Sequence, residues 1–211
     1  MRRWLEWGGY AAGAVLIAFG IAVIALALNG RSTVHDSLKD EKIMGTPDMT
    51  PAAIAKEAKQ AGLPASVSLP TCSVANQPVN DGASARCFAQ YMRIHALEAT
   101  GGQTYAQMPR YATADGQGTN DAAAAQKGPS GQPLDNPVRN LWITETALTT
   151  ALNASFLAEN VALFGIVVGI ALLLTGLGFG VLVIGGSLRG REEAAKAGKR
   201  SPETARAVPA I

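Results

Sequence analysis

The stretch NVALFGIVVGIALLLTGLGFGVLVIGG, residues 160–186, contains no charged side chain. At 1.5 Å of rise per residue a helix of this length covers about 40 Å, more than the roughly 30 Å hydrocarbon core of a bilayer. A second stretch, YAAGAVLIAFGIAVIALALN at residues 10–29, is also uncharged and long enough to cross. A water-soluble domain would have to bury such helices on every face, and a chain of 211 residues cannot do that twice. The expected fold class is therefore mainly α, with two transmembrane helices at 10–29 and 160–186 and a small helical domain at 30–159 between them. The first block also has features of a secretory signal, because Arg2 and Arg3 precede it and Ala25-Leu26-Ala27 resembles a cleavage site. Its apolar run exceeds the usual length of about 7–15 residues, and Glu6 and Trp7 suit a signal poorly, so a retained span is favoured.

Lys and Arg near the ends of the spans set the orientation. Arg2 and Arg3 lie before the first span, and Arg189, Arg191, Lys196, Lys199, Arg200 and Arg206 follow the second. The segment between carries 10 basic and 12 acidic residues over a far longer stretch. Both termini are thus expected in the cytoplasm: the short segment 1–9 and a basic, turn-prone, disordered tail at 187–211. Residues 30–159 are expected on the outer side of the cytoplasmic membrane. Trp4, Trp7 and Tyr10 suit the aromatic belt of the inner interface. A net charge of +2 without a basic, aromatic-interleaved patch argues against nucleic acid. The lipid bilayer, other membrane proteins or further copies of the chain are the expected partners.

The cysteines fit this placement. Cys72 and Cys87 are the only two, and both fall in the outer segment, where an oxidising compartment permits a disulfide. Bridging them closes a loop of about 15 residues, worth on the order of 3 kcal/mol in the chain-entropy model. A zinc site would need four ligands with closer cysteine spacing, so a disulfide is the expected state.

Within the outer segment, TPAAIAKEAKQAGL opens with Thr50 as a helix cap and Pro51 in the first turn, and Gly62 ends it. A short strand is expected near residues 67–69, in a stretch broken by prolines. Asp81 caps a helix that contains ARCFAQYMRIHALEATGG (85–102), with Phe88, Tyr91 and Ile94 facing inward and Gly101-Gly102 stopping it. Residues 109–137 lack large apolar side chains and read as a mobile loop. From residue 138 onward no glycine, proline or turn signal interrupts the chain before the second span, which predicts one long helix whose outer part forms a stalk. Leu141, Leu148, Leu152 and Phe156 recur along it at helical spacing and are the candidate interface residues.

Candidate chemistry is sparse. His95 and Glu98 stand one helical turn apart, and His35 is the only other histidine. A metal-dependent enzyme or metal-binding module using His35 and His95 is an alternative on residue count alone, but the local spacing does not point to it. Cys87 and His95 are about 12 Å apart along a helix, too far for a nucleophile–base pair. No phosphate loop, dinucleotide fingerprint or nucleophile elbow occurs. No catalytic, cofactor-binding or metal-ligating residue is assigned, and no cofactor is expected.

The spans carry a different signal. Gly165, Gly169, Gly176 and Gly180 are spaced by 4, 7 and 4, and Gly9, Gly13 and Gly20 by 4 and 7. Small faces of this kind let helix backbones approach closely in lipid, against each other, against copies or within a larger complex. Glycine is also common in transmembrane helices generally. Neither span contains an Asp, Glu, Lys, Arg or His, which argues against a proton relay, ion site or voltage sensor.

The combination of WGGY, GTPDMTP, LPTCSV, ARCFAQYMRIHALEATGG and RNLWITETALTTALN followed by a second span resembles a family of small two-span actinobacterial membrane proteins. The resemblance covers most of the chain and implies no activity to carry over to particular residues. Members often bear the label of an aromatic ring-opening dioxygenase. Such enzymes are soluble, iron-dependent and built around a substantial core, whereas this sequence offers two isolated histidines. The expected function is therefore a non-catalytic integral membrane protein, a structural, scaffold or accessory subunit of a cell-envelope complex. A membrane-anchored ligand sensor is a further alternative, with no output domain in the tail to support it.

Overall fold

Long apolar runs without a helix breaker set the two longest elements of this chain. The computed structural model describes residues 2–199. Four helices follow in chain order: α1 (Arg2–Asp40), α2 (Pro51–Gln60), α3 (Gly82–Ala99) and α4 (Pro137–Lys199). Both α1 and α4 are long and apolar enough to cross a membrane. Only 17% and 11% of their most apolar 18-residue windows are buried within the chain. The core helix of a water-soluble protein would have most of that surface covered by its own fold.

Several boundaries differ from the sequence expectation. α1 begins at Arg2, well before residue 10; beyond the span it runs on to Asp40, where the alternating charges of RSTVHDSLKDEKIMG lead one to expect a short continuation, and it ends before the break expected at Gly45. α4 continues past Gly186 to Lys199, so residues 187–199 are helical where a disordered tail was expected. Alanine, glutamate and lysine are good helix formers and populate this stretch, which turn signals alone undervalue. The rest of that tail, residues 200–211, lies outside the described residues. No strand forms at 67–69; among the described residues the only β pairing is in isolated bridges. Pro64 and Pro70 flank that stretch, and each lacks a backbone donor for a ladder.

The chain divides into two compact units. One holds α1 up to Asn29 and α4 from Ala162, and its two helices meet through glycine. A β-carbon on Gly20 would lie 2.8 Å from the carbonyl oxygen of Gly169, and one on Gly13 would lie 3.0 Å from that of Gly176. Gly9 abuts Val183, and Gly165 abuts Ala27. Gly180 is different. Its backbone nitrogen comes near Gly13, but a β-carbon at Gly180 would meet nothing within 4 Å, so packing does not require glycine there.

The other unit, Gly30–Val161, has a small core built around α3. Asp81 caps this helix by accepting from the Ser84 amide, while Ser84 accepts in return from the Asp81 amide. One apolar cluster joins Met49, Ile54 and Ala58 to Tyr91, Ile94 and Leu97 of α3 and to Trp142 of α4. A second joins Leu38 of α1 and Val79 to Ala85 and Ala89 of α3 and Leu152 of α4. Phe88 is half-buried between them and touches both. Thr50 caps α2 by accepting from the Ala53 amide, and Gly62 leaves the helix at φ +69°.

The expected disulfide is present. Cys72 and Cys87 are bonded, with their Cα atoms 6.1 Å apart, and no free cysteine remains among the described residues. The bond fastens the irregular 61–80 segment to α3. Beside it the Tyr91 hydroxyl donates to the Cys72 carbonyl at 2.6 Å, and burial pushes the phenol upward, which keeps it a donor. Of the expected loop at 109–137, residues 109–136 form no helix or strand and Pro137 opens α4, yet polar groups fasten the loop where large apolar residues do not. Tyr111 and Thr119 exchange backbone hydrogen bonds, the Gln126 amide donates to the Ala112 carbonyl, the Ala112 amide to Leu134 and the Leu134 amide to Gln126, and Asn136 caps α4 by accepting from the amides of Val138 and Arg139.

Two outcomes follow from this packing. Gly20→Val should destabilise the helix pair by about 1–3 kcal/mol through overpacking, while Gly178→Val, where nothing lies within 4 Å, should leave the melting temperature in detergent nearly unchanged. Cys72→Ser should lower the stability of the Gly30–Val161 unit by about 2–4 kcal/mol in denaturant titration, and wild-type protein should migrate faster without reductant than with it on a denaturing gel.

Candidate functional site

Three features of the Gly30–Val161 unit can do chemistry or recognition: a buried carboxylate, a histidine cluster and an apolar groove. The carboxylate is Glu159, near the middle of α4 and almost wholly buried. Oε1 accepts from Arg31 Nε and from His35 Nε2, each at 2.9 Å. Oε2 accepts from the Gly82 amide at 2.6 Å. That amide opens α3, where the first N–H groups have no partner inside the helix and a negative charge is favoured by the helix dipole. One side chain of α4 thus ties the 31–35 turn of α1 to the start of α3.

Glycine is required at position 82. A β-carbon there would sit 2.8 Å from Phe156 Cα and 2.9 Å from Glu159 Oε2. The approach is backbone to backbone, and only a hydrogen fits. Burial by itself would raise the Glu159 carboxyl, but the hydrogen bonds from His35, Gly82 and Arg31 outweigh it and hold the group below the ordinary carboxylate value. The arrangement engages His35 Nε2 with Glu159, which leaves it poorly placed to act as a base elsewhere.

His95 lies on the half-exposed flank of α3. Its Nδ1 is 3.1 Å from Glu98 Oε2, and its Nε2 is 3.4 Å from Asp48 Oδ2. Glu57 of α2 completes a group of three potential ligands with Asp48 and His95. The two histidines, His35 and His95, belong to different polar clusters, so a site using both is not what the fold assembles.

An apolar groove of about 570 Å³ runs between α1, α3 and α4. Leu38 and Ile43 form one wall, Phe88 and Met92 another, and Leu148, Ala151 and Leu152 the third. Only Ser37, Glu41 and Ser155 add polar groups at its margin. Methionine, unbranched and polarizable, adapts its shape to an apolar occupant readily. A second hollow of about 400 Å³ lies further along α3, lined by Met92, His95, Leu141 and the buried Glu145, among others.

The four candidate interface residues of α4 thus divide. Leu152 is buried in the core, and Phe156 is half-buried with the Arg86 guanidinium 4.7 Å above its ring. Leu141 and Leu148 are exposed, at 41% and 44%, and each lines one of the two hollows. Sequence reasoning passed over Trp142, which is buried and donates to the Gln103 carbonyl at 2.9 Å. It also passed over Asp48, Glu57, Arg31 and Glu159. For the last two a signal was available: Arg31 follows one uncharged stretch and Glu159 precedes the other, so opposite charges stand at matching ends. No family model, curated protein or solved structure matches the chain.

Glu159 gives a test by acid. Its folded value is lowered, so the stability it supplies is fully present above the ordinary carboxyl value of 4.5 and disappears as pH falls through the folded value. Denaturant titrations of wild type should therefore show a loss below about pH 4.5 that Glu159→Gln lacks. At neutral pH the same substitution should cost about 1.5–3 kcal/mol, the usual worth of a hydrogen bond to a charged group.

Proposed function

We propose that this chain is a two-span integral protein of the cytoplasmic membrane that presents the Gly30–Val161 unit on the outer side. There it serves as a non-catalytic accessory or scaffold subunit of an envelope complex. The observation that carries this reading is the open groove lined by Leu38, Phe88, Met92 and Leu148. It belongs to the disulfide-bonded unit and not to the uncharged stretches of α1 and α4. An exposed apolar surface of this kind in a water-facing unit is a usual mark of an association site.

Other features support the same reading. Disulfides persist in oxidising compartments, which fits an outer placement of Cys72 and Cys87. Trp4 and Trp7 are largely exposed near the start of α1, as an interfacial belt would have them. The basic residues at both outer ends of the spans favour cytoplasmic termini. Close glycine contacts join the two apolar helices to each other, as helix pairs in lipid do. The resemblance to small two-span membrane proteins of actinobacteria points in the same direction.

A photo-crosslinking residue placed at Leu148 should capture a discrete membrane-protein partner in cells, and the same residue at Ala83, exposed on α3, should capture far less. Cysteines engineered into 109–137 should react with an impermeant thiol reagent applied to intact cells. Purification in mild detergent that returns only monomers, without crosslinks through Leu148, would overturn the accessory reading.

A further inference from the structure

The cluster around His95 has a charge balance that the rest of the fold does not explain. Three carboxylates, those of Asp48, Glu57 and Glu98, surround one imidazole. Among the described residues no lysine or arginine forms an ion pair with any of them. Glu98 sharpens the imbalance: its Oε2 meets His95 Nδ1, while its Oε1 is buried with no hydrogen-bond partner. An acceptor buried without a partner costs free energy.

The geometry is that of a ligand set. Asp48 comes from the turn before α2, Glu57 from α2 itself and His95 from α3, and one donor atom of each lies within 4.8 Å of the others. Among the described residues this is the one such group of three. Donor atoms on a single ion stand roughly 3–3.5 Å apart when metal–ligand bonds are about 2.0–2.2 Å. Small rotations of three half-exposed side chains would close the set. The Nδ1 contact with Glu98 matters most for identity. A carboxylate accepting from Nδ1–H fixes the imidazole tautomer that turns the Nε2 lone pair toward Asp48 and Glu57, as in carboxylate–histidine–metal arrangements.

We propose that Asp48, Glu57 and His95 Nε2 form a binding site for a divalent first-row transition ion, with Glu98 positioning the imidazole. One nitrogen and two carboxylates favour zinc over manganese, and both over magnesium or calcium, which prefer all-oxygen shells. Bound there, the ion clips the 46–50 turn and α2 onto α3, on the same helix that the disulfide fastens to 61–80. Its role is structural and does not depend on the partner proposed above.

The test uses full-length protein in detergent, stripped of metal, with zinc chloride as the probe. Calorimetry should show one zinc per chain, and saturating zinc should raise the melting temperature. His95→Ala should abolish both effects, and Asp48→Asn and Glu57→Gln should each weaken binding at least tenfold. Glu98→Gln should weaken it by about 10–100-fold with stoichiometry unchanged, the usual effect of removing an orienting carboxylate. His35→Ala should bind as wild type does. An intact disulfide on a non-reducing gel and unchanged helical circular dichroism would show that each variant is folded. Should His95→Ala fail that check, X-ray absorption of the wild-type zinc complex decides, with one imidazole and oxygen donors expected. Zinc binding that survives His95→Ala, no thermal shift at saturation, displacement by millimolar magnesium, or a zinc shell without imidazole would each overturn the site.

Discussion

A single carboxylate sets the arrangement of the Gly30–Val161 unit. Glu159 accepts from a guanidinium, an imidazole and the first amide of a helix, so one side chain fixes the 31–35 turn of α1 and the start of α3, far apart in sequence, to α4. Burying a charge is unfavourable unless every oxygen is satisfied. Here the cost is offset by three donors, and the helix dipole of α3 adds to them. With Glu159 in place, Phe156 and Leu152 on the same helix reach the start and middle of α3, and the second apolar cluster forms around Ala85 and Ala89. The first cluster then extends outward to α2 and Trp142, and the Cys72–Cys87 bond fastens its irregular side.

Much of this was legible in the sequence because its signals are local. Thr50-Pro51 and Asp81 mark helix starts through caps whose hydrogen bonds stay within four residues. The uncharged stretches need only length and composition to be recognised. Two cysteines in a segment read as extracytoplasmic leave one possible pairing. Helix ends were harder. α1 and α4 each outrun the apolar run that marks them, because polar residues such as Glu192, Glu193 and Lys196 continue a helix as well as apolar ones do.

The candidate site was far less visible, for a physical reason. Glu159 lies 77 positions from Gly82 and over 120 from Arg31 and His35, and no periodicity links them. Asp48 and Glu57 meet His95 across some forty residues, through the packing of α2 against α3. Spacing along one helix suggested only His95 with Glu98, which meets the Nδ1 edge of the ring and not the Nε2 edge that faces Asp48. The groove depends on Leu38 of α1, Phe88 of α3 and Leu148 of α4 converging, which is a property of the fold alone. In the other unit, by contrast, the repeated glycine spacing reports contact almost directly, with Gly180 as the exception.

The fit at Gly82 also limits how this sequence can drift. Any side chain at that position would collide with the α4 backbone at Phe156 before it reached a neighbour that could move aside. A methyl group would have to displace a whole helix, which leaves no gradual mutational route. Glycine at 82 is thus fixed for as long as the α4 backbone lies against the start of α3.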